Sequence, residues 1–297
     1  FFDDVKAVAP IVTIAGVSPE TFVLGRFMRE DLETFAQEDA LLEMEVRDSI
    51  PWAAAFLQLP LAQRAQRLHE FACLRWRQKV AFARVRLEKF GWREACHSAA
   101  LEVLGYRRNR APMVSIATQH PLAKWQQEPP QPETLLADTD LWWRLSGLRP
   151  ANHPLRRLQA YNNFVASHSD WPEALAELLK EYVQAGSCES LPANSLIGSG
   201  SVRKQLRLSA LRKALQQYFK GLAGSSRMDT MMVDAILPLW SAAQVDLSLE
   251  NYWLHWPVGD VPPSCRDFVV EAFAGEASVP VINNGLIQGA LQLYFEG

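Results

Sequence analysis

Residues 60–90 read PLAQRAQRLHEFACLRWRQKVAFARVRLEKF, and this stretch decides the fold class. Its apolar residues recur at steps of three, four or seven, which places them on one face of an α-helix. Pro60 suits the first helical position, and Gly91 follows where glycine commonly ends a helix. The sequence therefore predicts one long amphipathic helix ending at Gly91. Its apolar stripe consists of Leu61, Ala65, Leu68, Ala72, Trp76, Ala83, Leu87 and Phe90.

The same helix carries a second, basic set of residues. Arg64, Arg75 and Arg86 are eleven residues apart, about three helical turns, and Lys79 lies close to the line that they form. We call these four residues the basic ridge. We expect it to edge the core face of the helix and to be available to a phosphate-rich partner.

Helical patterns continue through the rest of the chain, so we predict a mainly α fold, an irregular multi-helix array. Residues 5–17 fit either a short strand element or an extended lead-in. Breaker-rich stretches at 126–131 (QQEPPQ) and 186–201 (GSCESLPANSLIGSGS) interrupt the helices. We predict an acidic N-terminal segment (1–59), a basic helical region (60–185) and a C-terminal helical region (200–297), the last two either separate or one continuous domain.

Capping signals place the later helices. Asn152 is predicted to cap a helix through about Ser167, and Asp170 one that begins at Trp171. Ser201 is predicted to cap a helix through about Lys220. The remaining predictions are a helix from Arg227 to Ala243 with a kink at Pro238, a turn at Asn284-Gly285, and a last helix from Leu286 to Phe295.

The charge is unevenly distributed along the 297 residues, although the net charge is only −3. Residues 1–61 hold 4 Lys/Arg and 11 Asp/Glu, whereas residues 62–110 hold 12 Lys/Arg and 4 Asp/Glu. This asymmetry fits an anionic partner for the basic part, or internal pairing of the two segments. Hydrophobic residues make up 48% of the chain, enough for a sizeable core.

The four cysteines, Cys73, Cys96, Cys188 and Cys265, include no C-x-x-C pair, which favours buried thiols in a reducing compartment. No signal peptide is recognised, and the longest uncharged run is interrupted by Pro280 and Gly285. We predict a cytoplasmic protein with no membrane partner and no cofactor.

Residues 91–113, GWREACHSAALEVLGYRRNRAPM, contain glutamate, cysteine, histidine and arginine side chains close together, all of which can take part in catalysis or ligand binding. Glu94 and His97 share one helical face and are weak candidates for a metal site. Because no second E-x-x-H unit occurs, a local ion pair or a core histidine is the favoured alternative, and no metal is predicted. Cys96 is expected to be a buried, inert thiol.

Two arginine-rich turns are the main candidates for anion binding. Arginine forks match phosphate and carboxylate geometry, and helix starts add free amides. The alternative is that these arginines tie down helix ends or are simply solvated. The first turn contributes Arg107, Arg108, Asn109 and Arg110, and the second contributes Arg149, Asn152, His153, Arg156 and Arg157.

Three blocks in the chain are together similar to the bacterial domain-of-unknown-function family 2851. They are WREACH at 92–97 running to LGYRRNRAPM at 104–113, LRPANHPLRRL at 148–158, and RMDT at 227–230 continuing to ILPL at 236–239. The ending NGLIQG at 284–289 also resembles that family. The resemblance places Arg107, Asn109, Arg149, Asn152 and Arg156 in motif blocks but implies no established activity.

The leading functional hypothesis is therefore an anion- or nucleic-acid-binding helical module without catalysis of its own, since no phosphate loop, G-x-S-x-G or H-E-x-x-H occurs. One alternative is a structural or protein-interaction scaffold. Another, suggested by the family resemblance alone, is part of a nuclease-like enzyme whose catalytic region lies upstream. The sequence leaves the substrate, the partner and the oligomeric state open.

Overall fold

The computed structural model describes residues 51–138, 140–183, 193–197, 199–244, 249–274 and 281–296. These residues form a helical array without a β-strand, and one isolated antiparallel bridge joins Pro257 to Asn283. The predicted mainly α fold is thus confirmed, while residues 5–17 lie outside the described part. The helices are α1 (Pro51–Leu57), α2 (Leu61–Leu104), α3 (Arg110–Gln119), α4 (Leu122–Gln127), α5 (Pro132–Ala137), α6 (Pro154–Ser167), α7 (Trp171–Tyr182), α8 (Ser199–Gln205), α9 (Leu208–Tyr218), α10 (Ser225–Met231), α11 (Leu237–Ala243), α12 (Glu250–His255), α13 (Pro263–Ala272) and α14 (Asn284–Glu296).

Helix α2 is broken at Gly91, as its sequence predicts. Gly91 adopts φ 71° and ψ 173°, which lie outside the helical region. An Nη of Arg86 lies 2.6 Å from a carboxylate oxygen of Glu102, although sixteen residues would span about 24 Å along a straight helix. The second half (92–104) therefore turns back along the first half (61–90).

The core lies where helix α14 packs along the first half of α2. Leu68 and Ala72, from the predicted apolar stripe, are fully buried, and the ring centroids of Trp76 and Trp253 are 5.3 Å apart. Gly289 of α14 faces the backbone of Leu68, where a Cβ atom would lie only 2.8 Å from the Leu68 carbonyl carbon. The two helix backbones thus come into direct contact at this point.

A π-helical turn, Met232–Ile236, lies between α10 and α11. The amide of Leu237 bonds the carbonyl of Met232, and Pro238 has no amide to offer the carbonyl of Val233. The indole Nε1 of Trp253 donates to that Val233 carbonyl instead, at 2.7 Å. The predicted disruption therefore occurs one turn before Pro238, and it is a π-helical turn.

Three predicted helix ends are wrong in detail. The N-cap of α6 is His153, whose Nδ1 accepts from the amide of Leu155 at 3.3 Å, whereas Asn152 ends a short 3-10 turn. The helix predicted from 202 to 220 begins earlier, at Ser199, and breaks at Arg207, which has φ 52°. Asn283 caps the last helix by accepting from the amide of Leu286 at 3.0 Å, so the predicted turn at 284–285 is helical.

Candidate anion-binding site

The basic ridge predicted on α2 does not form an exposed surface. Arg75 and Lys79 are each only 6% exposed. Arg75 lies against α14, where its Nε donates to Gln288 at 2.6 Å and its Nη1 to Gln292 at 3.4 Å. Arg64 donates to the carbonyl of Ala272 at the end of α13. The described contacts of these ridge residues are therefore intramolecular.

An alternating chain of charges joins α2, α3 and the π-helical turn. Lys79 lies 3.2 Å from Asp234, and the other oxygen of Asp234 lies 3.5 Å from Arg110. Arg110 also lies 3.9 Å from Glu102, which in turn pairs with Arg86. All five side chains are at most 18% exposed. Arg110, a predicted anion ligand, thus faces two carboxylates inside the fold.

The first arginine turn is fastened to residues 144–146 through Asn109. The buried Asn109 side chain donates to the carbonyl of Arg144 at 3.2 Å and accepts from the amide of Arg144 at 2.8 Å. Arg108 adds a bond from its Nη1 to the carbonyl of Ser146 at 2.7 Å. Asn109 is therefore a positioning residue, which holds two segments together without facing an anion.

The two predicted arginine turns meet at Tyr106. The guanidinium carbons of Arg157 and Arg227 lie 5.0 and 3.4 Å from the centroid of the Tyr106 ring, within cation–π range. Arg157 also donates to Asn152 at 3.2 Å, and Arg227 pairs with Asp260 at 2.8 Å. We call residues 105–110 together with residues 141–157 the arginine corner.

Several cations of the arginine corner face solvent. Arg107, Arg108, Arg144, Arg149 and Arg156 are all exposed. No described carboxylate forms an ion pair with Arg149 or Arg156. The exposed part of the corner is therefore basic, whereas Arg110 belongs to the interior.

The sequence does mark the arginine corner in one way, which is the absence of acidic residues around both arginine-rich turns. The motif blocks of the family resemblance do not show this absence. Residues 103–127 contain four Lys/Arg and no Asp or Glu, and residues 141–169 also contain four Lys/Arg and no Asp or Glu. The bonds of Asn109 and Arg108 fasten these two acid-free stretches to each other. Two of their cations, Arg108 and Arg144, thereby come to line one cleft.

A cleft of about 290 Å³ opens within the corner. Arg108 and Arg144 line it together with Trp142, whose side chain is 64% exposed. Neither Trp142 nor Arg144 was among the candidates from sequence, because only the fold places them beside the first arginine turn.

Glu94 and His97 serve separate structural purposes. Glu94 accepts from the amide of Leu122 at 2.9 Å and so caps α4, while His97 is fully buried. His97 Nε2 lies 3.0 Å from the carbonyl of His120, which only accepts, so Nε2 carries the proton and Nδ1 accepts from Tyr161 at 2.6 Å. Within the described part of the chain, no three His, Cys, Asp or Glu side chains are grouped to hold a metal ion.

Cys96 is fully buried as predicted, and burial raises the pKa of its thiol well above the ordinary value. A thiol that stays protonated is a poor nucleophile. The structure therefore gives Cys96 a packing role.

Burial of His97 makes the stability of the fold depend on pH. Desolvation lowers the pKa of His97 from 6.5 to about 4. Between these values the unfolded chain binds a proton and the native chain does not, so the free energy of unfolding falls as the pH is lowered, by up to about 1.4 kcal/mol per pH unit. We expect His97→Asn to reduce the slope of urea-denaturation stability against pH in this window without abolishing it, because burial also lowers the pKa of His255 to about 4. A profile unchanged by the substitution would contradict this cause.

Comparisons with models of protein families, with curated proteins and with solved structures find no match to this chain. The similarity to family 2851 stays a prediction from the motif blocks. None of the helices in the described ranges is both long and apolar enough to cross a membrane.

Proposed function

We propose that the chain is a binding module whose arginine corner holds the backbone phosphates of nucleic acid. The observation that carries the proposal is that the bonds of Asn109 and Arg108 join two acid-free stretches, 103–127 and 141–169, so that Arg108 and Arg144 line one cleft. Guanidinium groups match phosphate oxygens in geometry as well as in charge.

The proposed binding surface is the arginine corner and not the basic ridge of helix α2. Arg75, Lys79 and Arg110 are engaged inside the fold, so their replacement would test stability more than binding. Arg107, Arg149 and Arg156 are exposed and lie in the two acid-free stretches. They are therefore the residues whose loss tests phosphate binding directly.

The test is the affinity for a labelled oligonucleotide, measured by fluorescence anisotropy at about 50 and about 200 mM salt. Affinity should fall steeply with salt, because phosphate contacts release counterions. The triple variant Arg107→Ala/Arg149→Ala/Arg156→Ala should bind at least about tenfold more weakly at the lower salt concentration, and its log–log salt slope should be smaller by about 2–3.

A matched variant controls for net charge. Arg67→Ala/Arg84→Ala/Arg266→Ala also removes three exposed arginines, but from α2 and α13. We expect it to keep most of the affinity. Equal losses in the two triple variants would reduce the effect to net charge and overturn the corner as the site, and no binding at low salt would overturn the function itself.

The predicted bacterial cytoplasmic location belongs to the same proposal. It is supported by Cys73 and Cys96, which are not joined in disulfides. Reduced thiols are usual in the cytoplasm, where nucleic-acid partners are also found.

A further inference from the structure

Trp142 differs from the other tryptophans of the described chain in its exposure. Large aromatic side chains normally bury most of their surface, whereas Trp142 is 64% exposed and so presents an aromatic ring at the surface beside the cleft. The other tryptophans with described side chains are buried (Trp76, Trp125, Trp171, Trp240, Trp253, Trp256) or half-buried (Trp92, Trp143).

Hydrogen bonds hold the residues that follow Trp142. The amide of Trp143 donates to the carbonyl of Leu141 at 2.8 Å, and the Trp143 indole donates to the carbonyl of Leu135 at 3.2 Å. On the next residue, Arg144, both backbone groups bond Asn109. The exposed ring of Trp142 therefore lies next to two residues bonded to the rest of the fold, which lowers the entropic cost of stacking on it.

The cleft beside Trp142 combines three kinds of chemistry. Pro112 and Leu141 supply apolar walls, and Arg108 supplies a cation. Asp140 and Ser115 supply acceptors that suit an amino group. A nucleotide offers the complementary set: a flat aromatic base, a phosphate and, in cytosine, adenine and guanine, an exocyclic amine.

We infer that the cleft takes one unpaired base of a single-stranded nucleic acid, stacked on Trp142, with the flanking phosphates at Arg108 and Arg144. This inference rests on the proposed phosphate binding by the arginine corner. A volume of about 290 Å³ is at the small end for ligand pockets and suits one base. In a duplex the bases are stacked on one another, so duplex DNA would offer the corner only its phosphates.

The experiment compares labelled oligo(dC) and oligo(dT) of about 15 nucleotides with a duplex of equal length, by anisotropy at about 50 mM salt. The unaltered protein should bind the single strands more tightly than the duplex. Oligo(dC) should bind more tightly than oligo(dT), because only cytosine offers an amine to Asp140. Trp142→Ala should weaken single-strand binding about 5- to 150-fold and leave duplex binding nearly unchanged.

Two further variants separate stacking from simple apolar contact. Trp142→Phe should retain most of the single-strand affinity, while Trp142→Leu should lose as much as Trp142→Ala, because leucine has no aromatic face. Phe82→Ala removes another exposed aromatic residue, 48% exposed on α2 and outside the cleft, and should have no effect. Asp140→Asn should reduce the preference for oligo(dC).

The outcomes distinguish this inference from the proposed function. Salt-dependent binding in which Trp142→Ala weakens single strand and duplex equally, or neither, would overturn the stacking role and leave phosphate binding at the corner intact. Absence of binding to every probe would overturn both. Full single-strand affinity in Trp142→Leu would replace base stacking by apolar contact and so contradict the inference.

Discussion

Replacing Asp229 by alanine is expected to lower the free energy of unfolding by about 2–4 kcal/mol, because it removes a buried carboxylate that binds the half-buried Arg212 and the buried Trp256. Asp229 is 1% exposed. Arg212 binds it with two parallel bonds, Nε to Oδ1 at 2.8 Å and Nη2 to Oδ2 at 2.6 Å. The buried indole of Trp256 adds a third bond to Oδ1 at 3.1 Å. The variant would leave this indole N–H without an acceptor.

Urea denaturation followed by circular dichroism measures the effect. Asp229→Asn keeps an oxygen acceptor and loses the charge, so its loss of stability should be intermediate, and this variant remains informative if Asp229→Ala does not fold. Glu177→Ala is the control: it removes an exposed ion pair with Lys180, of 2.7 Å, and should change stability by less than about 0.5 kcal/mol. A loss below about 1 kcal/mol for Asp229→Ala would contradict the structural role assigned to this carboxylate.

The substitution Gly289→Ala is expected to destabilise the protein by about 3 kcal/mol or more, at the upper end for overpacking. The added Cβ would meet the backbone of Leu68, with the carbonyl carbon 2.8 Å away. If the added Cβ met a flexible side chain, that side chain could rotate aside. It meets the backbone of Leu68 instead, which lies inside helix α2 and cannot move unless the helix moves. The packing of α14 on α2 would therefore have to loosen.

Gly200→Ala is the matched control in helix α8. A Cβ at Gly200 meets nothing within 4 Å, so alanine should be neutral or should stabilise the helix by up to about 1 kcal/mol. Thermal or urea unfolding of both variants provides the comparison. Equal stability of Gly289→Ala and the unaltered protein would show that the two backbones do not meet as described.

Local sequence patterns predict the secondary structure well where the spacing of apolar residues or a single glycine or proline decides it. The apolar spacing of residues 61–90 requires a helix, and Gly91 breaks it because the positive φ found there suits glycine. Trp171-Pro172-Glu173 begins a helix as expected. Patterns fail where a competing partner decides the boundary, as at His153, whose ring nitrogen takes the capping role predicted for Asn152.

The candidate site was predictable only in part. Arg107, Arg108, Arg149 and Arg156 are recognisable from the two turns, and the structure leaves them exposed. Trp142 could not be chosen from sequence, because the chain has ten tryptophans and burial in a core is the usual fate of such a residue. Its position beside the first arginine turn depends on the bonds between Asn109 and Arg144, which join positions 35 residues apart.

The sequence by itself determined that this protein is built from helices, where the longest helix breaks, and that two arginine-rich turns lie in stretches without Asp or Glu. Tertiary structure alone decided which basic side chains are buried against partners inside the fold. Arg75 and Lys79 are one turn apart on a helix, so periodicity places them together, but their partners Gln288 and Asp234 come from distant parts of the chain. A basic residue looks the same in sequence whether it meets water or a buried acceptor, because local spacing carries no information about what packs against a helix face.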